Sequence, residues 1–169
     1  MKTQLVELPV PTPAGEFIAR YSERGLAELN FPAGRTFTRV VKQNGVPAKI
    51  RQWHRVTEAA LKKILAGKEP EEFPPLDWNG ATEFQKSVWR QMRKISLGKT
   101  KSYGEIAEQV GKPKAVRAVG GACGANPIPV LVPCHRVLAA NKKLGGFSGG
   151  LDWKRKLLAR EGIKLPSAG

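Results

Sequence analysis

A cysteine and a histidine stand side by side in Pro133-Cys134-His135-Arg136-Val137. A thiol attacks carbon as its thiolate, so a reactive cysteine needs a base or a positive environment. The chain has only one other histidine, His54. The pair alone is weak evidence. A lone cysteine in an apolar run is usually an inert buried residue, and successive residues on an extended strand point opposite ways. His135 therefore needs a bend, or a relaying water, to reach the sulfur. Asn126 stands between a glycine-rich helix and this segment. Its amide can tie the two together through backbone hydrogen bonds, or cap the helix, or both. Glu161 closes the last predicted helix, where a carboxylate opposes the helix dipole. It can hold a histidine in one tautomer and stabilise its cation, or stand as a solvated end residue.

A second group of residues points to a large ligand. Ala115, Ala118, Gly120, Gly121, Ala122, Gly124 and Ala125 make one helix almost bare, with Arg117 its only long central side chain. Each glycine within a helix costs about 1 kcal/mol relative to alanine, so something must offset several of them. Close packing against another helix is one explanation. Entry of the bare backbone into a narrow nucleic-acid groove is the other, with Arg117 as a wedge between bases. The segment alone leaves the two even.

These residues need positioning. Gln4–Val10 and Glu16–Tyr21 read as strands around Pro11-Thr12-Pro13-Ala14-Gly15, a turn. Gly25–Phe31 and Arg35–Val41 are further strand candidates, with Asn44-Gly45 as a turn signal. Val56–Ala66 has helical spacing and Gly67 as its stop. Pro70–Pro75 reads as a rigid linker, which puts the expected domains at 1–78 and 79–169. Thr82 caps a helix through Phe84, Val88, Trp89, Met92 and Ile95, ended by Gly98. Ser102-Tyr103-Gly104-Glu105 is a capping box opening a short helix to Val110. After the turn Gly111-Lys112-Pro113 comes the bare helix, from Lys114 to about Ala125. That succession is a helix-turn-helix pattern. Three prolines between Pro127 and Leu138 predict an extended, buried segment. A glycine-rich loop, Gly145–Gly150, and a helix over Asp152–Arg160 follow. The expected class is α+β.

With 169 residues, 41% of them hydrophobic, the chain can bury a core, and its composition excludes collagen, coiled coils and low-complexity chains. No apolar run approaches the roughly 20 residues needed to cross a bilayer, and the first residues carry no apolar signal core. The expected setting is therefore cytoplasmic, with no membrane partner. The net charge is +15. Residues 1–78 hold 12 basic and 9 acidic side chains, and residues 79–169 hold 17 and 5, so the second half should meet any phosphate backbone.

Residues 101–161 resemble the O6-alkylguanine-DNA alkyltransferases, also called methylated-DNA–protein-cysteine methyltransferases. The matching stretches are Ser102–Ala107, Arg117–Ala122, Asn126-Pro127, Val132–Val137, Ser148-Gly149-Gly150 and Leu157–Gly162. The Pro-Cys-His-Arg-Val stretch is highly specific to that family. The resemblance implies a ribonuclease-H-like N-terminal domain and a mostly helical C-terminal domain with a winged-helix-like helix-turn-helix. It implies minor-groove binding to duplex DNA and flipping of the alkylated guanine into a pocket. It gives Cys134 as the nucleophile, His135 as its base through water, Glu161 as the group orienting His135, and Asn126 as the link from helix to cysteine segment. Tyr103 matches the family's tyrosine that crowds the target phosphate and helps polarise the guanine. Arg117 matches the arginine finger, with Gly104, Lys112, Lys114, Ala118 and Gly121 on the DNA side. Val137, Ser148 and Gly149 border the base, and Cys123 either lines the pocket or is a bystander. The thioether product is stable, so each molecule acts once, on O6-alkylguanine and by extension O4-alkylthymine. No cofactor motif is visible, the expected state is a monomer that can cooperate on DNA, and with one histidine and no cysteine in residues 1–100 no zinc site is expected there. Two other readings stand beside it: a non-catalytic lesion sensor or helix-turn-helix regulator, and a cysteine hydrolase. The hydrolase lacks an oxyanion-hole motif and gives the basic half no role.

Overall fold

The computed structural model describes residues 5–33, 45–147 and 149–166. Strands β1 (Val6–Thr12), β2 (Gly15–Tyr21) and β3 (Leu26–Asn30) form an antiparallel sheet in sequence order. Side chains alternate across its faces, so Leu8 and Val10, and Phe17, Ala19 and Tyr21, enter the core, and a register shift beside Tyr21 lets both Leu26 and Leu29 of β3 enter it too. The hairpin is tighter than the sequence predicts. Strand pairing runs to Thr12↔Gly15, and the Thr12 hydroxyl donates to the Gly15 carbonyl at 2.7 Å. The fourth strand expected over Arg35–Val41 lies outside the described residues.

Helix α1 (Ala48–Leu65) begins eight residues before the expected Val56. Pro47 stands at its N-cap, where a missing N–H is no loss. Its buried stripe, Ile50, Thr57, Leu61 and Ile64, continues a helical spacing that starts at Ile50. His54 fixes α1 to the sheet. Its Nε2–H donates to the Pro9 carbonyl at 2.9 Å, and its Nδ1 accepts from the Tyr21 hydroxyl at 2.8 Å. Pro70–Pro75 leads into residues that extend the sheet edge: Leu26 N–H donates to the Pro75 carbonyl and Asp77 N–H to the Leu26 carbonyl, both at 2.8 Å.

Helix α2 (Glu83–Met92) opens with a complete capping box between Thr82 and Gln85. It ends at Met92; Ile95 and Gly98 belong to the turns beyond it. Helix α3 (Tyr103–Gln109) carries the predicted Ser102–Glu105 box. Helix α4 (Val116–Gly124) starts two residues later than expected, so Lys112 and Lys114 lie exposed in the turn. Helix α5 spans Leu151–Arg160. Two short strands, β4 (Lys101–Ser102) and β5 (Val137–Leu138), pair in parallel. This pairing is invisible in the sequence, and it lays the start of α3 beside the segment that follows Cys134.

The class is mixed α+β, with five α-helices among the described residues. One connected apolar core runs from the N-terminal sheet to α5.

Candidate functional site

The segment Pro127–Leu138 is buried as expected, but it is not extended throughout. Cys134–Arg136 form one turn of 3-10 helix before β5. The chain therefore bends at Cys134, where the prolines implied an extended run. Cys134 is buried, and its own N–H donates to the Val132 carbonyl at 2.8 Å. Asn126 reaches the same segment from the end of α4. Its Nδ2 donates to the Val132 carbonyl at 2.9 Å, and its Oδ1 accepts from Ile128 N–H at 3.0 Å. Ala125 is the C-cap of α4, so Asn126 acts as the tie rather than the cap.

His135 is fully buried, with Nε2 2.7 Å from Glu161 Oε2. A carboxylate only accepts, so Nε2 carries the proton and Nδ1 keeps its lone pair. Nδ1 is buried and has no hydrogen-bond partner among the described residues. An imidazole oriented by a carboxylate, with its other nitrogen free to take a proton, can act as a general base. Burial lowers the His135 pKa below its ordinary value, although Glu161 opposes this, so the ring is neutral and ready to accept. Burial pushes the Cys134 thiol up to about 11, against the pull of Asn126 and Lys154. At neutral pH the sulfur therefore keeps its proton until a base removes it.

The helix-turn-helix presents a different surface. Val119, Ala122 and Cys123 face inward from α4, and Trp89 Nε1 donates to the Ala122 carbonyl at 2.8 Å, holding α4 against α2. Arg117, Ala118, Gly121 and Gly124 are exposed. A Cβ placed on Gly120, Gly121 or Gly124 would meet nothing within 4 Å. Close packing inside the protein therefore does not explain these glycines. Cys123 is buried, its thiol 3.5 Å from the Met92 sulfur. Tyr103, at the start of α3, packs on the loop beyond Cys134: a Cβ on Gly145 would lie 2.7 Å from the Tyr103 hydroxyl. Ser148 lies outside the described residues. Gly149 adjoins this loop, and Val137 is buried in β5.

Residues 83–163 match the model of the 6-O-methylguanine DNA methyltransferase DNA-binding domain. A methylated-DNA–protein-cysteine methyltransferase of Methanosarcina acetivorans is 42% identical over 154 residues, 89% of this chain and 94% of its relative. The chain belongs to the methylated-DNA–protein-cysteine methyltransferase family. A second methyltransferase, from Mycolicibacterium paratuberculosis, is 53% identical over 108 residues, covering 64% of this chain and 65% of the other. Among solved structures, that of Mycobacterium tuberculosis OGT in complex with DNA gives a TM-score of 0.71 at 36% identity, over 94% of each chain.

Two charged residues of this methyltransferase site were missed by sequence reasoning. Arg136 is buried. Its Nε donates to Glu161 Oε1 at 2.7 Å, and its Nη1 to the Ile95 carbonyl at 2.7 Å. Lys154 is fully buried and donates to the carbonyls of Val137 (2.8 Å), Leu144 and Gly146 (3.3 Å). A signal existed for Lys154. Lys154, Leu157, Leu158 and Glu161 recur at the i, i+3, i+4, i+7 spacing of a buried helical stripe. Charges on such a stripe must be paired or capped. Glu161 meets this demand with His135 and Arg136, and their contacts hold its carboxyl below its ordinary pKa despite burial.

Proposed function

We propose that this methyltransferase repairs duplex DNA by moving the alkyl group of O6-alkylguanine, and of O4-alkylthymine, irreversibly to Cys134. The observation that carries this reading is the His135 ring: Nε2 is held by Glu161, Nδ1 is buried and unpartnered, and the adjacent residue is a cysteine. DNA repair by alkyl transfer is the activity of the family, and DNA is its partner.

In the proposed reaction the Cys134 thiol gives its proton, through a water, to His135 Nδ1. The sulfur bonds to the alkyl carbon as the carbon–O6 bond breaks. The bonding pair leaves with the guanine, which takes up one proton from solvent in exchange for the one His135 took and later releases to it. Glu161 stabilises the imidazolium. The Tyr103 phenol, its pKa raised first by burial, stays protonated and able to donate to the base. Displacing a poor leaving group from carbon needs such stabilisation. A thioether has no hydrolytic exit, so each molecule acts once.

The open face of α4 supports minor-groove entry. Bare glycines admit the backbone, Lys112 and Lys114 meet phosphates, and Arg117 enters the stack as the target base leaves it. We read the first 78 residues as a ribonuclease-H-like domain and residues 79–169 as a winged-helix-like DNA-binding domain. Intact-protein mass spectrometry after mixing with duplex DNA carrying O6-methylguanine tests the proposal. One added methyl per molecule, mapped to Cys134 and absent from Cys134→Ala, is the expected result. Lesion binding without a mass change would make the protein a sensor.

A further inference from the structure

The N-terminal half touches the loop that follows the cysteine segment through the side chain of Phe31. This residue stands just beyond β3, and its ring centroid lies 5.6 Å from that of Phe147 on the loop, edge to face. A Cβ on Gly149 would overlap the Phe31 ring, so Gly149 owes its lack of a side chain to this contact. Behind Phe31 stand Trp153 of α5, with centroids 5.0 Å apart, and Phe17 of β2 at 5.5 Å. Phe17 is fully buried and also meets Trp153 at 5.6 Å. Phe31 is therefore backed on two sides and cannot retreat without opening the core.

The loop is gripped from other directions as well. Lys154 takes the carbonyls of Leu144 and Gly146. Tyr103 lies against Gly145. Lys154 and Tyr103 both belong to the C-terminal half, and both act on residues 144–146. Phe31 acts on Phe147 and Gly149, the neighbours in sequence of Ser148.

We infer that Phe31 is a positioning residue for alkyl transfer: the N-terminal half uses it to hold Phe147 and Gly149 in place beside the alkylated base. This rests on the reading that the loop borders the base. The N-terminal half then has a task in the reaction although it supplies no reacting group. Pinning a loop in its bound geometry raises affinity by removing the cost of ordering it when substrate arrives.

The test uses the full-length protein and single-turnover transfer from free O6-benzylguanine and from an O6-methylguanine duplex. Phe31→Ala should raise the half-saturating concentration of free base about tenfold. Phe31→Tyr, which keeps the ring, should restore it. Affinity for undamaged duplex, and alkylation of Cys134 by iodoacetamide, should stay within twofold of wild type, because neither uses the loop. Gly149→Ala gives a second, independent arm. Alone it should impair transfer at least tenfold, and in the Phe31→Leu background, where the ring is gone, the penalty should shrink several-fold. An unchanged half-saturation in folded Phe31→Ala, or equal Gly149→Ala penalties in both backgrounds, would overturn the assignment. Wild-type protein that gains no alkyl group would instead defeat the transfer reading on which it rests.

Discussion

Nε2 of His135 lies 2.7 Å from a carboxylate oxygen of Glu161, and both side chains are fully buried. The other oxygen of Glu161 lies 2.7 Å from Nε of Arg136. One carboxylate therefore serves two neighbours on one turn of 3-10 helix. With His135 neutral, Arg136 and Glu161 balance. When His135 takes a proton, its new charge appears against an anion already in place, with no reorganisation needed.

Glu161→Gln should therefore be costly to folding as well as to transfer. Removing one partner of a buried ion pair leaves the other uncompensated, at about 3–5 kcal/mol. For a chain of this size that lowers Tm by about 10 °C. Denaturant unfolding of the variant checks it, and an unchanged midpoint would mean Arg136 does not depend on this carboxylate.

His135→Ala removes the proposed base and leaves the proposed nucleophile. Transfer near pH 7 should fall by about 10² to 10⁴. The residual rate should rise about tenfold per pH unit up to pH 9.5, because Cys134, with its pKa pushed up to about 11, must then ionise unaided. A residual rate independent of pH would show that the base lies elsewhere.

Stability should fall on acidification in two stages. Burial holds His135 and His54 below their ordinary value of 6.5. The unfolded chain therefore takes up these protons first, so stability is complete above about pH 6.5 and declines as pH drops from there. Glu161 is held below its ordinary 4.5. Its contribution is present above that value and is lost as pH falls through the folded pKa. Urea midpoints between pH 8 and pH 3 should show both stages, and His54→Gln should keep the part of the upper one that belongs to His135.

Gly121 separates stability from binding. It is exposed in α4, and a Cβ there meets nothing. Gly121→Ala should stabilise the free protein by about 0.5–1 kcal/mol. Gly121→Leu should leave the fold intact but weaken binding to undamaged duplex at least tenfold in an anisotropy titration. Unimpaired binding would remove α4 from the DNA interface.

Arg117 is exposed on the first turn of α4. Arg117→Ala should slow transfer from duplex DNA by tenfold or more and leave transfer from free O6-benzylguanine within twofold. Equal losses on both substrates would end its role as the wedge.

Much of this protein was legible without coordinates, and the legible parts share one property. The Thr82 and Ser102 capping boxes, the stop at Gly67 and the helical stripe of α5 each depend on residues within a few positions of one another. So does the Cys134–His135 adjacency, and the glycine run of α4 is plain in the text. Local spacing carries local structure, because backbone hydrogen bonds and caps act over three or four residues. What spacing could not carry is where distant segments meet. Glu161 announced that it needed a partner, but only the folded chain brings it to His135 and Arg136. The 3-10 turn at Cys134 replaced the extended run that three prolines implied, since packing against Ile95, Asn126 and Glu161 outweighs local preference. The β4–β5 pairing, the carbonyl cage around Lys154 and the wedge of Phe31 join residues far apart in sequence. The sequence by itself determined the Cys134–His135 adjacency, the caps and the bare helix. The tertiary structure decided which nitrogen of His135 is free and what holds the loop, because both are set by burial and contact between segments that no local pattern links.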